Sequence, residues 1–262
     1  MSEETTRPLL SIRNLGYEVE GDGKKLTILD NISLDVAEGE FLCIVGSSGC
    51  GKTTVLHLVA GLTRPSSGEI VFHGEPVKGP SRLRAIVFQD YSKALLPWRT
   101  VSGNVALALE GRGVARRDQG PIIDRLLAQV GLTNWSGHFP RQLSGGMQQR
   151  LQIARCLAQQ PQLLLMDEPF GALDAMTRQT LQDELAKLAK ESGVTIIFVT
   201  HDLEEAIYLG HRVVAMESRP GRIAEEIGID LPHPRNQLTT REDPRFLAYR
   251  HQLFGLLPSG HV

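Results

Sequence analysis

The sequence predicts an α/β fold with a parallel-sheet core, an N-terminal antiparallel β subdomain and an inserted α-helical subdomain. Strands alternate with helices in two stretches of the chain, a pattern typical of parallel sheets with helices on their faces. Residues 9–45 have the pattern of consecutive strands and turns, and residues 101–160 have that of helices. We therefore expect a domain over residues 1–235, with the helical subdomain inserted at about 101–160, and a helical tail over 236–262.

The N-terminal region is predicted to form strands that lead into a buried one. GDGKK (Gly21–Lys25) is a hairpin signal. Ile32, Leu34 and Val36 alternate with polar residues, which is the period of a half-buried strand. FLCIV (Phe41–Val45) is a continuous apolar run, as expected of a buried parallel strand. A glycine-rich loop follows, and then a helix in TTVLHLVAGL that is predicted to end near Gly61. EIVFHG and AIVF are predicted to be strands.

The inserted region carries helix signals of its own. PIIDRLLAQVG is predicted to form a helix with Pro121 at its start and Gly131 just past its end. Further apolar residues recur at helical spacing, namely Met147, Leu151, Ala154 and Leu157. The strand–helix alternation then resumes with LLLMD, LQDELAKLAK, VTIIFV, LEEAIYL and RVVAM.

The tail segment DPRFLAYRHQLFGLL is predicted to be an amphipathic helix. It either docks onto the domain or binds a partner. After Arg235 the sequence has room for a strand remnant and one helix, so we expect no built-in regulatory domain.

Composition excludes several classes of protein. A net charge of −2 argues against a general nucleic-acid binder. No apolar run is long enough to cross a bilayer, and MSEETTRPLL lacks the features of a secretory signal. Cys43, Cys50 and Cys156 are widely spaced, which fits a reducing cytosol better than a disulfide framework or a metal site.

GSSGCGKT (Gly46–Thr53) matches the phosphate-binding pattern G-x-x-x-x-G-K-[ST]. It follows a buried strand and opens a helix, and its glycines let backbone N–H groups point at phosphates. Lys52 would neutralise the β- and γ-phosphates, and Thr53 would hold Mg²⁺. The alternative is a flexible loop with a surface lysine. The predicted ATP-binding residues here are Gly46, Ser47, Ser48, Gly49, Cys50, Gly51, Lys52, Thr53 and Thr54.

LLLMDE (Leu163–Glu168) places two adjacent carboxylates at the end of an apolar strand. The strand would bring Asp167 to the carboxyl edge of the sheet, where it could reach Mg²⁺. Glu168 would then be free to orient a water molecule. An exposed pair of loop carboxylates is the alternative.

LSGGMQQR (Leu143–Arg150) has the pattern of a second helix that begins as an anion site. Ser144 is a natural N-cap, and two glycines leave backbone N–H groups uncovered. A capping box would place Glu or Gln at Met147, so local capping alone accounts poorly for the sequence. A second anion site, far along the chain from the phosphate loop, needs a ligand of its own.

The phosphate loop, LSGGMQQR and LLLMDEPFGALD occur in that order, and together they resemble the ATP-binding subunit of ATP-binding cassette (ABC) transporters, a P-loop NTPase fold. The resemblance extends from Leu9 to about Pro234. It implies that two cassettes stack head to tail, most simply as a homodimer. Ser144, Gly145, Gly146 and Gln148 of one subunit would then act on the ATP of the other, which supplies the second anion.

The same resemblance assigns roles to single residues. Tyr17 would stack on adenine, Gln89 would sense Mg²⁺ and the attacking water, Asp174 would communicate across the dimer, and His201 would contact the γ-phosphate. Alone, Tyr17 could equally be an ordinary strand tyrosine, and Gln89 would carry no meaning. A lone histidine at a strand end is more often structural, but the place of His201 after VTIIFVT favours the family role. The implied reaction is ATP hydrolysis, in which Glu168 polarises water while Lys52, Mg²⁺ and His201 stabilise the developing charge. Closure and reopening of the dimer would be the output.

Three longer stretches resemble the nitrate/sulfonate/taurine group of bacterial importers: YSKALLPWRTVSGNV, DEPFGALDAMTRQTLQDEL and ESRPGRIAEEIGIDLPHPR. The group implies a peripheral subunit at the cytoplasmic face of the inner membrane. Its partners would be a transmembrane permease and, indirectly, a periplasmic solute-binding protein. Leu96, Pro97 and Trp98 would face the permease, with core packing as the alternative for Trp98. His211 stands where an acidic residue is common, which leaves a surface contact open, and Cys156 replaces a common alanine.

Other functions stay open at this point. An exporter ATPase, or a soluble ABC ATPase acting on nucleic acid or ribosomes, would share the motifs. The latter usually has two cassettes or a coiled-coil insertion, and the sequence has neither. A small-molecule kinase would have no use for LSGG. The transported solute is not encoded in this chain.

Overall fold

The computed structural model describes residues 7–21, 24–90, 94–171 and 173–256. These residues form two compact units. The phosphate-loop unit contains the described residues up to Pro80 and from Val194 onward, and the LSGG unit contains those of Ser81–Gly193.

The secondary structure follows the predicted alternation. The strands are β1 (Leu10–Gly21), β2 (Lys24–Val36), β3 (Phe41–Gly46), β4 (Ser67–Phe72), β5 (Glu75–Pro76), β6 (Arg84–Val87), β7 (Leu163–Asp167), β8 (Thr195–Thr200), β9 (Arg212–Glu217) and β10 (Arg222–Gly228). The α-helices are α1 (Lys52–Ala60), α2 (Val101–Gly111), α3 (Arg116–Gln129), α4 (Gly145–Leu157), α5 (Ala175–Ser192), α6 (Leu203–Leu209), α7 (Thr239–Glu242) and α8 (Pro244–Leu256).

The phosphate-loop unit contains the predicted antiparallel sheet, in the order β2-β1-β4-β5. Strands β1 and β2 form a hairpin with Gly21 opposite Lys24, which confirms the hairpin signal; the turn residues Asp22 and Gly23 lie outside the described residues. The predicted alternation on β2 is also confirmed, because Ile32, Leu34 and Val36 are buried.

A second sheet in this unit is built around β3. Strands β8 and β9 flank it in parallel, and β10 pairs with β9 in the antiparallel sense. Every residue of β3 and β8 is buried, as their apolar runs predict. Because Val45 of β3 lies opposite Thr200 of β8, the segments that follow the two strands begin side by side.

The C-terminal tail docks onto the phosphate-loop unit. The described residues after Arg235 form two helices, α7 and α8, and not the strand remnant and single helix predicted. On α8, Phe246 and Leu253 are fully buried, whereas Phe254 is 61% exposed. The guanidinium groups of Arg241 and Arg250 both donate to the carboxylate of Glu204 on α6. Of the two alternatives for the tail, docking onto the domain is the one observed.

The LSGG unit combines the parallel pair β6–β7 with helices α2 to α5. One helix start was predicted wrongly: α3 begins at Arg116, and Pro121 lies inside it. The missing N–H of a proline removes only one helical hydrogen bond, and the bond from Asp118 N–H to the Ala115 carbonyl begins the turn earlier. Gly131 follows the helix with a φ of +67°, as predicted.

The domain boundaries predicted from the sequence remain predictions. Among the residues described, no helix is both long and apolar enough to cross a membrane.

Candidate functional site

The loop between β3 and α1 has the backbone of a phosphate cradle. Gly49 and Gly51 have φ angles of +80° and +96°, in the left-handed region that glycine adopts without strain. Gly51 is the N-cap of α1 and supplies no side-chain hydrogen bond to the helix start. The first-turn N–H groups are therefore not covered by a capping side chain, which suits an anionic ligand.

Lys52 lies buried in this loop, with 5% of its surface exposed. Its Nζ donates to the carbonyl oxygens of Gly46, at 2.7 Å, and Ser47, at 3.2 Å. The neighbouring Thr53 is exposed and Thr54 is half-buried. The carbonyl groups of the loop thus hold the Lys52 ammonium in place. The burial of Lys52 does not fit the alternative of a surface lysine.

Close packing excludes a side chain at two glycines, one in the loop and one in a segment that packs against the loop. A Cβ on Gly46 would lie 2.6 Å from the Met216 carbonyl oxygen and 2.7 Å from Cys50 Sγ. A Cβ on Gly221 would lie 2.2 Å from the Cys50 carbonyl oxygen. Gly221 was missed from the sequence, although the Pro220–Gly221 dipeptide is a turn signal.

Two further predicted residues lie in the phosphate-loop unit. His201 is exposed directly after β8, whose last residue lies opposite the end of β3, so the parallel register brings His201 beside the start of the loop. Tyr17 is half-buried on β1 and pairs with Leu29 of β2. A Cβ on Gly51 would lie 2.5 Å from Leu29 Cδ2, so Tyr17 belongs to the strand pair that supports the loop.

The LSGG unit brings together Gln89, Asp167 and Glu168. Strands β6 and β7 pair with Val87 opposite Met166, so the segments that follow them begin close together. Asp167 ends β7 and is buried, with 5% of its surface exposed. Glu168 has a φ of +41°, and its Oε2 accepts a hydrogen bond of 3.4 Å from Gln89 Nε2. Carboxylate and amide are thus already within reach of each other.

Helix α4 begins as the sequence predicts. Ser144 is its N-cap, and the serine Oγ accepts a hydrogen bond from Met147 N–H at 3.4 Å. Gly145 opens the helix and Gly146 is buried. A Cβ on Gly146 would lie 2.8 Å from Thr177 Cγ2. Gln148 Nε2 donates to the Leu143 carbonyl at 3.2 Å.

Asp174 has a structural role that the sequence reading missed. It is the N-cap of α5, and its Oδ1 accepts a hydrogen bond from Thr177 N–H at 3.0 Å. Hydrogen bonds from Thr177 to the carboxylate lower the pKa of Asp174. The signal was present, because Asp directly before a helical stretch is a capping residue.

Trp98 is not a core residue. Its side chain is 72% exposed, the adjoining Pro97 is exposed and Leu96 is half-buried. The core-packing alternative for Trp98 is therefore wrong. The neighbouring residues Tyr91 to Lys93 of the same stretch lie outside the described residues.

The two departures from the family pattern both find local partners. His211 Nδ1 accepts a hydrogen bond from Phe41 N–H at 2.9 Å, and partial burial lowers the pKa of His211. Cys156 Sγ lies 3.4 Å from the Ile86 carbonyl oxygen, and burial raises the pKa of the thiol to about 11. Where other members of the family often have an acidic side chain, His211 therefore makes a hydrogen bond to the backbone of Phe41.

Comparison with known proteins shows the family to which the chain belongs. The ABC transporter family matches residues 29–171, which is more than half of the chain. The chain belongs to this family. It is an ATP-binding cassette ATPase.

The curated relatives resemble the cassette over most of its length. An uncharacterized ABC transporter ATP-binding protein of Methanocaldococcus jannaschii is 47% identical over 95% of this chain and 91% of its own. The taurine import ATP-binding protein TauB of Roseobacter denitrificans is 42% identical over 95% of this chain and 93% of its own. The nitrate import ATP-binding protein NrtD of Synechococcus elongatus is 42% identical over 87% of this chain and 84% of its own.

Solved structures include cassettes of the same fold. A dimeric ATP-binding cassette in a post-hydrolysis state, bound to ADP and phosphate, superposes with a TM-score of 0.74 at 30% identity. The match covers 84% of this chain and 98% of that one.

Proposed function

We propose that this cassette is the ATP-hydrolysing subunit of a bacterial importer of the nitrate, sulfonate and taurine type. The observation that carries the proposal is the likeness to nitrate and taurine import ATP-binding proteins over most of the chain, with every nucleotide motif complete. The subunit would work as a homodimer at the cytoplasmic face of the inner membrane, bound to a permease that a periplasmic solute-binding protein supplies.

ATP is proposed to bind with its phosphates on residues 46–54 and its adenine on Tyr17. Three features support this role. The left-handed glycines and the start of α1 at a glycine favour an anion held by backbone N–H groups, and the Lys52 ammonium adds a positive charge beside them. On binding, Lys52 Nζ would exchange its carbonyl partners for phosphate oxygens.

Mg²⁺ is proposed to be held by Thr53, Gln89 and Asp167 together with phosphate oxygens. A hydroxyl, an amide oxygen and a carboxylate form an oxygen-only donor set, which is the set that Mg²⁺ prefers. The metal would neutralise charge on the β- and γ-phosphates.

Hydrolysis is proposed to use Glu168 as the group that orients the attacking water and accepts its proton. Lys52 and His201 would stabilise the charge that develops on the γ-phosphate. Ser144, Gly145, Gly146 and Gln148 would act on the ATP of the partner subunit, and Asp174 would link the two sites of the dimer. The hydrogen bond between Gln89 and Glu168 supports a shared task for these two side chains.

Permease binding is proposed to involve the segment Leu96–Trp98. The Trp98 side chain is 72% exposed, and tryptophan is enriched in protein–protein interfaces relative to the rest of the surface. The likeness to nitrate and taurine import ATP-binding proteins does not favour the alternatives, a cassette that serves an exporter or one that serves a soluble nucleic-acid or ribosomal system.

The Glu168→Gln variant tests the catalytic assignment. We expect it to bind ATP and to dimerise as the wild type does, while kcat falls by about 10²- to 10⁴-fold because the water loses its proton acceptor. Steady-state ATPase assays and size-exclusion chromatography with ATP and Mg²⁺ measure both properties. Turnover near that of the wild type would remove Glu168 from this role.

The same variant tests the transport assignment. Tagged Glu168→Gln protein, loaded with ATP, would be used to capture partners from detergent-solubilised native membranes for mass spectrometry, with a nucleotide-free sample as the control. A multi-span permease is the expected partner. Ribosomal or nucleic-acid partners without a permease would overturn the importer and leave the ATPase intact.

A further inference from the structure

Helix α4 holds the backbone next to Gln89 through a buried glutamine. The Gln152 side chain is fully buried. With its amide oriented by the hydrogen-bond network, its oxygen accepts from Phe88 N–H at 2.7 Å and its nitrogen donates to the Phe88 carbonyl at 3.2 Å. A single side chain thus satisfies both backbone groups of the residue directly before Gln89.

Two more residues on the same side of α4 hold the same segment. Arg155 Nη1 donates to the Ala94 carbonyl at 2.6 Å, and the Cys156 thiol lies 3.4 Å from the Ile86 carbonyl. Positions three and four residues after Gln152 lie on one face of a helix with it. The contacts therefore fall on both sides of Gln89, and the neighbouring backbone depends on the position of this helix face.

The contact between Gln89 and Glu168 is sensitive to that position. At 3.4 Å it is close to the upper limit for a hydrogen bond, so a small displacement of Gln89 would break it. Gln89 itself is exposed, and its position therefore depends on the anchors of the adjoining backbone.

We infer that Gln152 and Arg155 are positioning residues for ATP hydrolysis. They hold Gln89 where its amide meets Glu168, and they tie it to the helix that starts with Ser144–Gly146. A displacement of α4 would thus also displace Gln89 relative to Glu168. The inference rests on the roles proposed above for Gln89 and Glu168.

The first test replaces Gln152 with Met, which keeps the length of the side chain and removes both hydrogen bonds. Hydrogen–deuterium exchange of the full chain is expected to accelerate in peptides that contain Phe88 and Ala94. In steady-state assays kcat is expected to fall by roughly 10- to 100-fold, with the KM for ATP unchanged, because geometry and not binding is altered. Unchanged exchange at Phe88 would overturn the inference.

The matched control is Gln119→Met. Gln119 is also a buried glutamine of the LSGG unit, and its Nε2 donates to a backbone carbonyl, that of Val114, at 2.9 Å. This control should lose thermal stability as Gln152→Met does, yet keep the kcat of the wild type. An equal loss of kcat in the two variants would mean general loosening, and the inference would fail.

A double-mutant cycle with Gln89→Ala separates the inference from the proposed function. If Gln152 acts through Gln89, Gln152→Met adds no further loss of kcat in the Gln89→Ala background. A wild-type kcat in Gln89→Ala alone would overturn the role of Gln89. A low kcat in Gln89→Ala that Gln152→Met lowers again by its full factor would overturn only the positioning role.

Arg155 provides a second pair of variants, in case Gln152→Met does not fold. Arg155→Met removes the donor to Ala94, whereas Arg155→Lys keeps a cation that can donate. We expect Arg155→Lys to retain most of the kcat that Arg155→Met loses. Equal activity of the two variants would contradict the role of this hydrogen bond.

Discussion

Two helices of this cassette begin at sites predicted to meet phosphate, and the two starts are built differently. Helix α1 follows Gly51, which offers no side chain, and carries the buried Lys52 in its first turn. Helix α4 follows Ser144, whose hydroxyl accepts a hydrogen bond from the N–H group of Met147. One start follows a residue without a side chain and has a cation in its first turn, and the other is capped by a serine and has no cation in its first turn.

This difference fits the roles proposed for the two helix starts, a standing ligand site at α1 and a site completed by a partner subunit at α4. The start of α1 keeps N–H groups without a capping side chain, so a phosphate gains both these donors and the Lys52 charge. The start of α4 is stable by itself because the serine satisfies one N–H group. A ligand there competes with a 3.4 Å bond, which is long and therefore easily exchanged.

The largest expected effect is at the open start. Lys52→Met removes the charge of the loop, and we expect kcat/KM for ATP to fall by about 100-fold or more because developing negative charge loses its partner. ATPase assays and calorimetric titration with ATP measure this loss. Lys25→Met, at a lysine that is 70% exposed in the same unit, is the control and should leave both quantities unchanged. A Lys52→Met protein with normal affinity and turnover would mean that the backbone alone forms the site.

An intermediate effect is expected at Gly146. In Gly146→Ala the new methyl group meets Thr177 Cγ2, and such overpacking lowers the free energy of unfolding by about 1–3 kcal/mol. Urea unfolding is the measurement. Thr177→Ser, which removes the methyl group, should recover part of this loss in the double variant. Gly111→Ala in α2 is the control, because a Cβ there would have no neighbour within 4 Å, and the substitution should stabilise by up to about 1 kcal/mol.

The smallest effect is expected for the cap itself. Ser144→Ala should lower the free energy of unfolding by about 0.5 kcal/mol, the low end for a lost N-cap, because the bond is long. Thr100→Ala at the start of α2 is the comparison, since Thr100 Oγ1 accepts from Gly103 N–H at the shorter distance of 3.1 Å. A larger loss for Ser144→Ala than for Thr100→Ala in urea unfolding would contradict the view of a weakly self-capped start.

Much of the phosphate-loop unit could be predicted because its signals are local. The apolar run of β3, the glycines of the loop and the stop of α1 at Gly61 each depend on a few consecutive residues. Backbone conformation responds to such short patterns through steric restriction and capping. The local pattern around Pro121 did not place the helix start, because a proline can occupy the interior of a helix as well as its start.

The sequence by itself determined the ABC family, the strand–loop–helix of the nucleotide site and the serine cap of α4. Only the tertiary structure showed that Gln89 meets Glu168, that Gln152 holds Phe88 and that Gly221 lies against Cys50. The sequence around a glutamine or a glycine does not indicate which distant residue it will contact in the folded protein. Such contacts arise when buried backbone groups must find hydrogen bonds and close-packed segments must exclude side chains, and both demands exist only in the folded chain.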